Sequence, residues 1–171
     1  MLKRAVHLFV LSFFLTVPAC VSASSVSIFM CQKNSDVEAL RASTLMIESG
    51  ILETLFDRGH IVSSGEPAVF DSDIQEAAQK ALKSSAEGFF EFMVQINVTY
   101  KDKMPENPAK IVFDDIENVD WRIVRVRNNR DIQEKRNIIP AKFENENDTQ
   151  ALRRFAQELG YAVANVIQGI R

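Results

Sequence analysis

Residues 55–71 read LFDRGHIVSSGEPAVFD and bring His60, Asp57, Arg58, Ser63, Ser64 and Glu66 into one short stretch. An imidazole beside a hydroxyl or a thiol is the pairing that activates a serine or cysteine nucleophile, with the histidine as general base. Ser63 and Cys31 are the nucleophiles His60 could serve, which defines a hydrolase or thiol-enzyme reading. The same residues also read as punctuation between elements. Asp57 and Arg58 fit the last exposed turn of a helix, and Gly59 its left-handed exit. IVSS is then a short strand, and Gly65, Glu66 and Pro67 supply turn chemistry. On this second reading, which is the preferred one, His60 is a solvated or capping group and no residue is catalytic.

The front of the chain limits what else these residues can do. MLKRAVHLFVLSFFLTVPACVSAS has Lys3 and Arg4, an apolar run from Ala5 to Val17, and then Pro18 with small residues, the three zones of a secretory signal. The run is short for a bilayer span, and no later stretch approaches the roughly 20 apolar residues a transmembrane helix needs. Two processing sites compete. Val21 and Ala23 fit cleavage ahead of Ser24, leaving residues 1–23 as signal peptide and 24–171 as one domain in the periplasm or secreted. Val17, Pro18, Ala19 and Cys20 resemble a loose lipobox, the alternative in which Cys20 is lipidated and anchors the protein to a membrane.

Removing residues 1–23 takes Lys3 and Arg4 but no acid, so the formal net charge moves from -3 to -5, which disfavours nucleic acid as a partner. It also takes His7 and Cys20, leaving His60 and Cys31 as the remaining histidine and cysteine. A structural zinc site and an intrachain disulfide are thereby excluded, and no metal or other cofactor is expected.

Elements must position these residues, and their order is legible. SVSIFMCQK (25–33) is apolar on both alternating faces, as in an interior strand, and makes Cys31 a small core residue. Ser35 and Glu38 form a capping box ahead of a helix with Val37, Leu40, Thr44, Ile47, Ile51 and Leu55 along one stripe. A second capping box, SDIQ, opens a helix with an alanine-rich face suited to close packing on a sheet, ending at Gly88. FFEFMVQINVTY then alternates, with Phe90, Phe92, Val94, Ile96, Val98 and Tyr100 inward and Glu91, Met93, Gln95, Asn97 and Thr99 on a wet face. VDWRIVRV and IQEKRNII pair as an antiparallel hairpin at a sheet edge, turning at residues 128–131. A final helix, capped by Asn147 or Asp148, places Leu152, Phe155, Leu159, Val163 and Val166 at steps of three and four, with Arg153 and Arg154 as surface charges.

The fold class is therefore α/β (α+β), a single small domain in the order β-α-β-α-β-β-β-α, with a mixed sheet packed by helices. Contact surfaces follow from its polar residues. They are Glu91, Gln95 and Asn97 on the wet strand face, and Arg122, Arg125 and Arg127 on the hairpin, where acids are interleaved as solvated cross-strand pairs.

The element order resembles the small α/β domain shared by the curli secretion channel protein, the TolB amino-terminal domain and the lipoprotein activators of penicillin-binding proteins. ILETLFDRGHIVSS matches their long helix ending in glycine before a strand, AEGFFEFMVQINV their glycine-aromatic step into an apolar strand, and WRIVRVRNNRDIQEKRNI with ALRRFAQELGYAVANVI their hairpin and terminal helix. The likeness spans residues 25–170, with Gly88-Phe89-Phe90 where many relatives carry Gly-Ala-Asp. It implies a non-enzymatic bacterial envelope domain that binds an envelope protein or self-associates, and it carries over no catalytic residue.

Overall fold

The structure, a computed structural model, describes residues 23–33, 39–70, 74–101 and 107–170. Among them lie β1 (Ser25–Lys33), α1 (Ala42–Asp57), β2 (Ile61–Ser64), β3 (Ala68–Phe70), α2 (Ile74–Glu87), β4 (Phe92–Tyr100), β5 (Ile116–Arg125), β6 (Arg130–Ile138) and α3 (Asp148–Gly169). The strands form one open six-stranded mixed sheet in the order β2-β1-β4-β5-β6, with β3 also paired to β1. β1 runs parallel to β2, β3 and β4, while β4-β5 and β5-β6 are antiparallel. This is the expected α/β class, with β3 as one strand more than the sequence pattern indicated. A three-residue strand is too short to show a period.

The inward residues of β1, β4 and β5 make one sheet face, and α1 and α3 cover it. Val26, Ile28, Phe92, Val94, Ile96, Trp121 and Ile123 meet Ile47, Ile51 and Leu55 of α1 and Leu152, Val163 and Ile167 of α3 in the main core. The two helices run side by side in the same direction along a seam of small residues. A Cβ on Gly50 would lie 2.7 Å from Ala156 Cβ, and one on Gly160 would lie 2.6 Å from Thr54 Cβ.

α1 begins at Ala42 with Arg41 at its cap, later than the sequence indicates. The Ser35–Glu38 box lies outside the described residues, but Leu40 is described and precedes the helix. A tertiary contact overrides local preference here. Gln32, fully buried at the end of β1, donates from Nε2 to Ala39 O (3.0 Å) and accepts at Oε1 from Arg41 N (2.9 Å) and Thr44 Oγ1 (2.6 Å). Thr44 also bonds Tyr100 Oη at 2.9 Å, and the buried Arg41 guanidinium stacks 4.0 Å from the Tyr100 ring centroid, 3.6 Å from Asp115. Burial pushes the Tyr100 hydroxyl up to about 12, against the Thr44 hydrogen bond and the Arg41 charge.

Both α1 and α2 end in Schellman turns. At α1, Gly59 takes φ +81°, with His60 N donating to Leu55 O and Gly59 N to Phe56 O. At α2 the left-handed residue is Phe89 (φ 58°), not Gly88, because Gly88 N still donates to Ser84 O within the helical ladder. Gly88 instead leaves space for the Phe90 ring, which would have to shift to admit a Cβ 2.7 Å away. An L-residue in this conformation costs roughly 1–2 kcal/mol, and here it is an aromatic that is 90% exposed.

His60 is buried, at 4% exposure, rather than solvated. It follows the α1 cap into the sheet, where Ile61 N donates to Ser24 O at 2.9 Å. The side of β4 expected to be wet is covered in its middle, with Glu91 exposed and Asn97 and Thr99 half-buried. Met93 and Gln95 are 1% and 2% exposed, because α2 lies over this face and packs Ala78 with Phe29, Cys31, Met93 and Val124. The SDIQ capping residues before α2 lie partly outside the described residues.

The hairpin turns through a short 3-10 segment and a left-handed Asn129. α3 opens with the capping box of Asn147 and Gln150. Arg154 is more than a surface charge. Its guanidinium makes paired bonds to Glu146 (2.8 and 2.9 Å), reaches Glu158 and Ala141 O, and stacks 4.0 Å from the Phe143 ring centroid, organising the β6-α3 connection.

Candidate binding face

α2 divides the second sheet face into two clefts. On its hairpin side, Gln75 and Gln79 of α2 face Met93, Arg122, Asn129 and Asp131 across a cleft of about 310 Å³. Alternation along the strands sends Gln95, Asn97 and Arg122 to this face. Arg122 Nε donates to Gln95 Oε1 at 2.9 Å, and Gln95 Nε2 donates to Asn97 Oδ1 at 2.8 Å. Arg122 Nη1 also lies 3.8 Å from Asp131. The result is a row of fixed donors and acceptors running from a buried glutamine to a cation 35% exposed. At its exposed end the Arg122 guanidinium is a fixed donor suited to a carboxylate or carbonyl.

On the other flank, Phe29, Glu66, Pro67, Lys80 and Ser84 line a second cleft of about 300 Å³. Next to it is a smaller one of about 110 Å³ that contains Ser63 and Ser64. Beneath it the Ser27 and Ser85 hydroxyls bond at 2.6 Å.

Of the six sequence-derived contact residues, Gln95, Asn97 and Arg122 come together in the hydrogen-bonded row. Glu91 precedes β4, Arg125 ends β5 and Arg127 lies in the 3-10 segment that follows, where Val126 N donates to Glu91 O (3.0 Å). Arg125 sits over the Phe92 ring, 5.4 Å from its centroid. Cys20 lies outside the described residues. Gln75, Gln79 and Asp131 were missed. Two glutamines spaced four apart on a helix mark one face, but nothing in their types says that the face borders a cleft.

The residues of the enzyme reading are not assembled. Ile61 pairs with Ser25, while Cys31 lies six residues further along β1, about 20 Å away at a strand's rise. His60 and Ser63 differ by an odd step along extended chain, which sends their side chains to opposite faces. Burial pushes the Cys31 thiol up to about 12, against a smaller lowering from Arg122. A thiol-alkylating reagent at pH 7.5 should therefore label Cys31 only as the protein unfolds, at a rate that His60→Ala does not alter through the thiol. Fast labelling of the native protein would refute this.

Among the described residues, no group of His, Cys, Asp and Glu is placed to hold a metal ion, and no helix is long and apolar enough to cross a membrane. Solved structures similar to this chain include PelC from Paraburkholderia phytofirmans, described as a dodecamer (TM-score 0.48, 12% identity, 87% of this chain and 91% of that one). They also include lipoprotein GNA1162 from Neisseria meningitidis (TM-score 0.41, 13% identity, 83% and 99%). TolB from Acinetobacter baumannii, a protein the sequence pattern already resembled, aligns with TM-score 0.36 and 10% identity over 85% of this chain and 27% of its own. No curated protein matches the sequence. Over residues 25–168 the chain matches the family described as "Uncharacterised protein", and it belongs to that family.

Proposed function

We propose that the protein is an exported bacterial cell-envelope module that works without catalysis, by binding an envelope protein or further copies of itself through the cleft between α2 and the β5-β6 hairpin. The observation that carries this reading is Arg122, which lines that cleft with its guanidinium fixed by a hydrogen bond to the buried Gln95, itself bonded to Asn97. Donors held in place before a partner arrives lose little freedom on binding, which favours specific recognition over general adhesion. Export is supported by the three-zone pattern of residues 1–23, which gives a periplasmic or secreted protein if the chain is cut before Ser24 and a membrane-anchored lipoprotein if Cys20 is acylated.

The test is photo-crosslinking in the native host with a reactive amino acid at Gln79, an exposed position lining the cleft. A discrete crosslinked species is expected, and Arg122→Glu should reduce it at least fivefold at a temperature well below the variant's own unfolding midpoint, which loss of the bond to the buried Gln95 lowers by a few degrees. No discrete species, or one indifferent to Arg122→Glu, would overturn the assignment. The mass of the species distinguishes a second copy from another protein.

A further inference from the structure

An acid is buried where α1 meets the edge of the sheet. Glu48 is 8% exposed, and among the described residues its Oε1 has no hydrogen-bond partner. The carboxyl is bonded by the Ser64 hydroxyl, at the end of β2. Val62 and Ser64 share one face of β2 by alternation, and Val62 packs with Leu52 of α1 on the main core, so this is the face that α1 covers. β2 is short and lies at the sheet's edge. It is tied to β1 by Ile61 N to Ser24 O and Gly65 N to Ile28 O. A buried carboxylate with one oxygen unpaired is far less stable than the neutral acid, whereas a serine hydroxyl can bond either form. Burial accordingly holds the Glu48 carboxyl above its ordinary range, and the Ser64 bond lowers it by less. No neighbouring charge takes part. The charged groups on the surrounding elements are Lys33 on β1, Glu53 and Asp57 along α1, and Asp148, Arg153, Arg154 and Glu158 on α3, while β2 has none and lies between His60 and Glu66.

We propose that Glu48 is a proton-operated latch on the edge strand: protonated, it holds β2 against α1, and ionised, it favours lifting of β2, which lets water reach the carboxylate. β2 gives way rather than α1, because α1 is pressed on α3 at Gly50, whereas β2 is a four-residue strand at the edge. The direction follows from the raised pKa. Below the ordinary carboxylate value of about 4.5 the folded and unfolded chains both carry the proton, and the latch is closed. As pH rises through the higher value of the folded chain, the stability it contributes is lost, and it stays lost above that value. Lifting β2 bares the outer side of β1 over Ser25–Ile28, so acid closes the sheet and base opens its edge to another strand. The latch does not involve the cleft between α2 and the hairpin, and its test is independent of that assignment.

The experiment uses the mature protein and carbon-detected NMR of its glutamate carboxyls, with Glu48→Gln to assign the Glu48 signal. Glu48 should titrate at higher pH than the exposed Glu53 and Glu66. Amide exchange at Ile61 and Gly65, corrected for the intrinsic rate, should speed up at least fivefold between pH 5 and pH 8, while Val94, fully buried in the sheet, changes by less than twofold. In Glu48→Gln, which keeps the size of the side chain and a group that Ser64 can bond, Ile61 and Gly65 should also change by less than twofold. Ser64→Ala leaves Glu48 in place and removes the hydroxyl that favours its ionised form, so the Glu48 titration and the onset of exchange should move together to higher pH. Titration of Glu48 alongside Glu53 would overturn the proposal, as would the same pH dependence of exchange in Glu48→Gln. An equal rise at Val94 would also overturn it, because the whole sheet and not β2 would then be loosening.

Discussion

A Gly160→Val chain is expected to lose about 3 kcal/mol of folding stability, seen in urea unfolding as a lower midpoint at unchanged slope and in thermal unfolding as a drop of roughly 6–12 °C. The reason is geometric. Even the first added carbon would lie 2.6 Å from Thr54 Cβ and 3.0 Å from its Cγ2 and Oγ1. Thr54 cannot swing away cheaply, because its hydroxyl donates to Gly50 O at 2.7 Å. The helices must therefore part, and one turn earlier Gly50 is pressed as closely on Ala156. Removing a glycine from a helix interior returns only about 1 kcal/mol of propensity, so the clash wins. Adding Thr54→Gly should recover part of the loss, and a coupling near zero between the two sites would show that the seam is not packed this way.

Removing the carboxylate beside the buried arginine should cost as much. Asp115→Ala is expected to lose about 3 kcal/mol, because Arg41, 4% exposed, keeps its charge in a site that burial already disfavours. Burial lowers the Arg41 pKa from its ordinary value, with the neighbouring Tyr100 and Asp115 acting in the opposite direction. Arg41→Met takes the charge away with the side chain and retains apolar contact over the Tyr100 ring, so it should cost clearly less. Equal losses, or a larger one for Arg41→Met, would show that the arginine contributes packing and hydrogen bonds rather than a charge that needs its carboxylate. Chemical denaturation of the two variants at pH 7 decides.

How much of this was visible in the chain depends on the range of the interaction concerned. The inward side of β4 and the stripe of α3 follow from periods of two and 3.6, and both faces of β1 read correctly as interior. Gly59 was readable because a Schellman turn is local. Gly88 misled because the same turn one residue later uses Phe89, and the glycine answers to the Phe90 ring. The burial of Met93 and Gln95 depends on where α2 lies, which the alanines at 77, 78 and 81 hinted at but could not register against β4. Likewise Gln32 and Arg41 look like ordinary polar residues until the ends of β1 and β4 are brought together. On the candidate face, Gln95 and Asn97 follow from alternation along β4 and Arg122 from the arginines of the hairpin, whereas the cleft beside them arises from the docking of α2.

The strand order has a consequence for the timing of folding. Among the described strands β1 comes first in the chain, yet it lies inside the sheet, and its longest pairing is with β4, where Val26 meets Phe92. Between those partners the chain must make two helices and two short strands. Such non-local parallel pairing is slow, because the closure entropy is lost before the contacts form. A newly made chain thus presents an apolar strand with one side unpaired until more than half of the polypeptide exists. Until then the free edge of β1 is the part of the chain most open to stray pairing.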